Sequence, residues 1–181
     1  MGARELKPGN RHSMATRIGT VIQSGIVAGF LLGIGLPTAT ASGAEIRFTP
    51  VQMDAQNPDA KTVGDLTWRG GLAMTMDNPD FGGLSALEIS PDGDRILAVT
   101  DKGFWFRAEL SYQDGDLSGI RNAELYPLRG LDGEPLDGKS WSDSESLARL
   151  GPDSVVVAFE RHHRLWRYDG DITQARPTAI T

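Results

Sequence analysis

From Glu45 onward apolar and polar residues alternate in short runs, and no stretch places apolar side chains at i, i+3, i+4 and i+7 over three turns. The pattern predicts an all-β chain of short, evenly spaced strands. Glu45 to Met53 alternates around Ile46, Phe48 and Val51, and Gln56-Asn57-Pro58-Asp59 reads as a turn. Leu66-Thr67-Trp68 and Leu72 to Met76 flank Gly70-Gly71 at hairpin spacing, and Asn78-Pro79-Asp80 ends that pattern. Leu84 to Ser90 alternates, Pro91-Asp92-Gly93-Asp94 supplies a turn, and Ile96 to Thr100 is a buried run too short for a helix. Strands follow at Phe104 to Leu110 and, as an edge strand, Ile120 to Leu128. A polar, glycine-bearing loop of fourteen residues, Arg129 to Ser142, comes next, and loops of that length in a compact domain usually have a function. Strands near Glu145–Leu150, Val155–Glu160 and Arg164–Tyr168 complete the series.

The second set of strands repeats the first. Ser85-Ala86-Leu87 falls on Glu145-Ser146-Leu147, and Ser90-Pro91-Asp92 on Gly151-Pro152-Asp153. Ile96 to Asp101 falls on Val155 to Glu160, and each copy continues into an aromatic strand, Phe104-Trp105-Phe106 or Leu165-Trp166-Arg167-Tyr168. Repeats about 60 residues apart suit long propeller blades, and repeated four-stranded units predict a β-propeller. A ring needs about four to eight blades, whereas residues 45–181 make two to three, so the expectation is the N-terminal part of a longer protein. Such a part would leave sheet edges exposed and prone to aggregation.

Residues 1–44 are of another kind. Arg4, Lys7, Arg11 and Arg17 lead into the apolar run Ile26 to Leu36, then Pro37 and small residues to Ala44. This is the layout of a secretory signal peptide, cleaved after Ala41 or Ala44, with Met14 as an alternative start. The apolar core is shorter than the ~20 residues that span a bilayer, so no stable membrane anchor is expected after cleavage. The expected location is secreted or periplasmic.

The leader holds four basic residues and one acid, leaving 14 basic against 23 acidic residues beyond it. That surplus argues against nucleic-acid binding and favours cations as partners. The absence of cysteine excludes disulfides, thiolate metal sites and a cysteine nucleophile.

At Gly83-Leu84-Ser85-Ala86, Thr100-Asp101-Lys102-Gly103, Asp143-Ser144-Glu145 and Glu160 the chain resembles the secreted bacterial "esterase-like activity of phytase" (phytase-like) family, over roughly Leu66 to Tyr168. The resemblance implies a propeller carrying several Asp and Glu residues and hydrolysis of phosphoesters, mono- or diesters, with a small phosphorylated substrate.

The residues themselves fit that chemistry. Asp101, Asp143, Glu145 and Glu160 stand at strand ends or starts, where a propeller gathers residues from neighbouring blades, and hard oxygen ligands suit Ca²⁺ or Mg²⁺. Glu145, Glu160 and His162 are the candidates for proton transfer. Arg161, His163 and Arg164 are candidates for holding an anion. Each of these also has a structural reading: carboxylates that cap turns or pair with Lys102, Arg161 or Arg164, and a solvated hairpin turn at Arg161–Arg164. Asp92–Asp94, Asp114–Asp116 and Asp169–Asp171 read as β-turns, since none continues into the spaced ligands of an EF-hand. Ser85 lacks a G-x-S-x-G elbow, and Trp68, Trp105 and Trp166 read as packing residues, with Trp141 the exception in the polar loop. Two other functions use the same features: a non-catalytic ligand- or partner-binding propeller, and a calcium-dependent lactonase-like propeller.

Overall fold

The structure is a computed structural model and describes residues 45–181. The expected leader and its cleavage sites lie outside the described residues.

Among the described residues, twelve strands and one helical turn follow in order. The first four are β1 (Ile46–Pro50), β2 (Thr62–Val63), β3 (Leu66–Thr67) and β4 (Leu72–Met76). A four-stranded antiparallel meander then runs through β5 (Leu84–Ile89), β6 (Arg95–Thr100), β7 (Phe104–Gln113) and β8 (Asp116–Pro127). The single turn α1 (Lys139–Ser142) leads into a second meander, β9 (Ser144–Gly151), β10 (Ser154–Phe159), β11 (Arg164–Asp169) and β12 (Thr178–Ile180). Two successive four-stranded antiparallel sheets are the sheet type of propeller blades, and the all-β class read from the alternation is the class observed.

The internal repeat is present in the hydrogen-bond register. Leu87 faces Ala98 across β5–β6, and Leu147 faces Val157 across β9–β10, as the overlay of the two copies requires. The first strand of each meander slips by one residue at its start, leaving Ser85 in the first copy and Glu145 in the second as the unpaired residue. A bulge of this kind re-aims a side chain at the end of a strand.

Alternation along the strands sends the first sheet's side chains to two cores. Ile96, Ala98, Phe106, Ala108, Ile120 and Leu125 form one, covered by Ile46, Leu72, Met74 and Met76 from β1 and β4. On the other side Val99, Trp105, Tyr126 and Leu128 join Leu147, Val157, Phe159, Trp166 and Tyr168 of the second sheet in a continuous core. Trp105 and Tyr168 meet edge to face with ring centroids 5.1 Å apart, a favoured aromatic geometry. β9 lies against β5 and β6, so the two sheets stack with their first strands adjacent.

Three local expectations are corrected. Leu72–Met76 does not form a hairpin with Leu66–Trp68: β4 pairs with β1, and β3 pairs with β2 over two residues. The reason is that the Leu117 amide bonds to the Arg69 carbonyl at 2.6 Å, pinning residues 69–70 beside the tip of the β7–β8 hairpin instead of freeing Gly70-Gly71 to turn. The chain after Tyr168 adds a fourth strand, β12, which pairs with β11; three exposed residues carry no alternation by which to see it. The polar loop contains α1, packed so closely on Gly103 that a Cβ there would lie 2.6 Å from that of Ser142.

Candidate carboxylate site

The site is assembled where the two copies meet. In the first, the Asp101 amide closes β6 by donating to the Gly83 carbonyl at 2.8 Å; in the second, the Glu160 amide donates to the Asp143 carbonyl at 2.9 Å. Ser144 Oγ donates to the Thr100 carbonyl at 2.6 Å, a buried bond that ties the start of β9 to the end of β6. The strand ends thereby bring carboxylates from both sheets to one rim.

Asp143 is buried, its side chain 2 % exposed, and both of its oxygens are satisfied. Lys139 Nζ donates to Oδ1 at 2.5 Å and Arg161 Nε to Oδ2 at 2.7 Å. Lys139 also bonds the Asp101 carbonyl at 2.9 Å and Asp101 Oδ2 at 3.0 Å, so one ammonium bridges the two copies. Arg161 adopts a positive φ of 56° at the turn. The hydrogen bond from Lys139, reinforced by Arg161, holds the Asp143 carboxyl below the usual carboxylate range. The bond to Asp143 raises the Lys139 ammonium above the usual lysine range.

Oxygens of Asp143, Glu145 and Glu160 lie within 4.8 Å of one another. Partial desolvation, then the negative charges of Asp143 and Glu160, push the Glu145 carboxyl up. The structure therefore brings together three of the four carboxylates proposed as metal ligands. Asp101 stands apart from the trio with Lys139 between it and Asp143, and its Oδ1 is buried with no hydrogen-bond partner.

The turn at residues 160–163 separates the proposed anion-binding residues. Arg161 reaches back to Asp143, whereas the Arg164 guanidinium lies over the rings of Phe159 (3.8 Å), Trp166 (4.3 Å) and Trp141 (5.3 Å). Arg164 also donates to the carbonyls of His162 and Trp141. Burial lowers its proton affinity. Arg161 and Arg164 thus do not converge on one point. His162 and His163 are exposed, and His162 stacks on Trp141 with centroids 4.2 Å apart and planes inclined by 23°.

Lys102 pairs with no carboxylate in the site and donates instead to the Pro79 carbonyl at 2.6 Å. Lys139 takes that place, a residue the strand pattern passes over because it lies in the loop; its spacing of four from Asp143 is the sequence signal. Ser85 Oγ is bound to the Gly83 carbonyl at 3.2 Å. Asp114-Gly115, with φ of 53° and 82°, is a two-residue hairpin turn. A cleft of about 1130 Å³, lined in part by Arg95, Arg107 and Arg149, opens at the opposite ends of the strands and contains none of the carboxylate trio.

Stacked antiparallel meanders with an acidic, cation-braced rim at their strand ends define the class, a blade-built β protein. The chain belongs to the Phytase-like family, described as "Esterase-like activity of phytase", whose profile matches residues 79–181, spanning both meanders and the whole site. No curated protein and no solved structure matches the chain.

Proposed function

We propose that the protein is a secreted phosphoester hydrolase that holds a divalent cation, Ca²⁺ in the first instance, at Asp143, Glu145 and Glu160. The observation that carries the proposal is the convergence of these three carboxylates at one end of the stacked sheets. The donor set fits the ion. All donors are hard carboxylate oxygens, each with lone pairs beyond those its present partners use, and desolvation together with the neighbouring charges of Asp143 and Glu160 raises the proton affinity of Glu145. When bound, the cation would screen the phosphate and acidify a water.

The chain's own residues supply the rest. Lys139 and Arg161 fix the Asp143 carboxylate in place, so the cation meets a rigid ligand. Arg161 uses Nε for this, leaving its terminal amino groups for phosphate oxygens. Glu145, with its raised proton affinity, is suited to accept a proton from the attacking water. Glu160 and the exposed His162 stand in the adjoining turn as carriers of that proton towards the leaving group, and His163 adds an anion contact when protonated. The basic, apolar and small-residue order of the first 44 residues supports export as the setting.

Thermal unfolding during a Ca²⁺ titration tests the cation, because a ligand that binds only the folded state raises the melting temperature. The expected result is a rise in the wild type that Glu145→Ala and Glu160→Ala remove, with hydrolysis of an aryl phosphate lost on chelation. A transition indifferent to Ca²⁺, Mg²⁺ and Mn²⁺ would overturn the metal-assisted reading. One observation favours a second reading in that event: Asp143 is already neutralised by Lys139 and Arg161, as a purely structural ion pair would be, which suits a non-catalytic binding propeller.

A further inference from the structure

Beside the carboxylates a cation–aromatic stack runs from the core to the surface. Phe159 and Trp166 are buried, 3 % and 6 % exposed, and the Arg164 guanidinium lies over both. Trp141 follows, within 5.3 Å of the same guanidinium and 48 % exposed, and the exposed His162 stacks on Trp141. Large aromatic residues are normally buried or anchored by their polar atom. Here the burial is graded, and each layer fixes the next: Arg164 is held by the two core rings and bonds the carbonyls of both Trp141 and His162. The outer two rings are thus pre-positioned by a half-buried guanidinium and remain open to solvent.

The position of this stack ties it to the chemistry. Trp141 lies on α1 between Lys139 and Asp143, and His162 follows Glu160 and Arg161 in the turn. The two short segments that supply the carboxylates and their counter-ions also supply the two exposed rings.

We infer that Trp141 and His162 form a stacking subsite for a planar aromatic group, the aryl portion of an ester whose anionic head lies at the carboxylate rim. A flat π-system continues a stack that already alternates rings and a guanidinium, and an open aromatic face accepts it without a dedicated hydrogen-bond pattern. Arg161, beside His162 in the same turn, provides positive charge for the head. The inference rests on the hydrolase reading for the identity of the head group; the ring subsite itself does not.

Calorimetric titration of the whole chain with 4-nitrophenol, phenylphosphonate and methylphosphonate separates the two. The expected result is that 4-nitrophenol binds, that phenylphosphonate binds about tenfold more tightly than methylphosphonate, and that Trp141→Leu removes both effects. Leu keeps apolar volume at an exposed position, and an unchanged unfolding transition shows that the variant folds. His162→Ala is expected to weaken 4-nitrophenol about threefold or more. If 4-nitrophenol binds through Trp141 but no phosphonate binds and no ester is cleaved, the hydrolase reading falls and the subsite stands. Failure of 4-nitrophenol to bind, or binding indifferent to Trp141→Leu, overturns the subsite. A glucose phosphate bound more tightly than phenylphosphonate through Trp141 overturns the aromatic class in favour of a sugar ring.

Discussion

The carboxylate of Asp101 occupies the space that a side chain on Gly83 would need: a Cβ there would lie 1.9 Å from Asp101 Oδ1. The equivalent pair in the second copy is Asp143 and Glu160, joined by the same backbone bond. There the residue in the glycine's place carries the buried carboxylate, and the residue in the aspartate's place is exposed. One duplicated strand end has therefore been used in two ways, each copy directing one carboxylate inward, and Lys139 bonds to both.

Gly83→Ala tests that relationship. Gly83 has φ of +59°, so alanine there is strained by about 1 kcal/mol before any contact is counted. Gly64, with φ of +57° and open space around it, provides the strain-only control. Urea denaturation should show Gly83→Ala to be more destabilising than Gly64→Ala by about another 1 kcal/mol, the cost of displacing Asp101 from Lys139. Equal losses would mean that Asp101 moves aside freely.

The register of the repeat was legible because each copy carries its own alternation and turn, and the overlay of Ser85 on Glu145 identified residues that both prove to be bulged. The three clustered carboxylates were legible as strand-end acids for the same reason. Only half of the role of Lys139 was legible: its spacing of four from Asp143 is visible, but its other partner, Asp101, is 38 residues away and the one-turn helix carrying it depends on packing against Gly103 rather than on any helical period. The opposite directions of Arg161 and Arg164 were equally hidden: they follow from a positive φ at one and an aromatic cage assembled from two strands and α1 at the other.

Acid should weaken the fold through Asp143. Its proton affinity is lowered on folding, so its contribution is present above the ordinary carboxylate range and is lost as pH falls through the depressed folded value. Lys139 shifts the other way: its contribution is present at neutral pH and is lost only as pH rises beyond the usual lysine range. Asp143→Asn should cost about 1–2 kcal/mol at pH 7, since its partners are half exposed and recover hydration, and should flatten the acid limb of stability against pH. An acid limb identical to that of the wild type would assign acid unfolding to other carboxylates.

Trp105 on β7 and Tyr168 on β11 couple the two meanders. Tyr168 Oη donates to the Arg129 carbonyl at 2.9 Å, so Tyr168→Phe should cost about 1 kcal/mol. Trp105→Ala, which empties a fully buried site, should cost about 3–5 kcal/mol. Because both rings lie in one core, denaturation should remain a single transition by tryptophan fluorescence and by far-ultraviolet circular dichroism. Two separated transitions in Trp105→Ala would show that the sheets unfold independently.

Glu145 should trade stability against cation binding. Its ionisation is opposed by desolvation and by the charges of Asp143 and Glu160, so folding raises its proton affinity and its charged form weighs against the fold at neutral pH. That cost falls away as pH drops through its raised folded value. Glu145→Gln, which keeps the shape and removes the charge, should therefore raise the melting temperature of the cation-free protein at pH 7 by about 1–2 °C and lose that advantage in acid. In saturating Ca²⁺ the order should reverse, with the wild type melting above the variant, because a cation that pairs with Glu145 turns a repelled charge into a ligand. Scanning calorimetry of both proteins, with and without Ca²⁺, gives four melting temperatures in which the sign of each difference is specified in advance. A variant more stable under both conditions would show that Glu145 crowds the rim without binding the ion, and the carboxylate site would then have to be drawn around Asp143 and Glu160 alone.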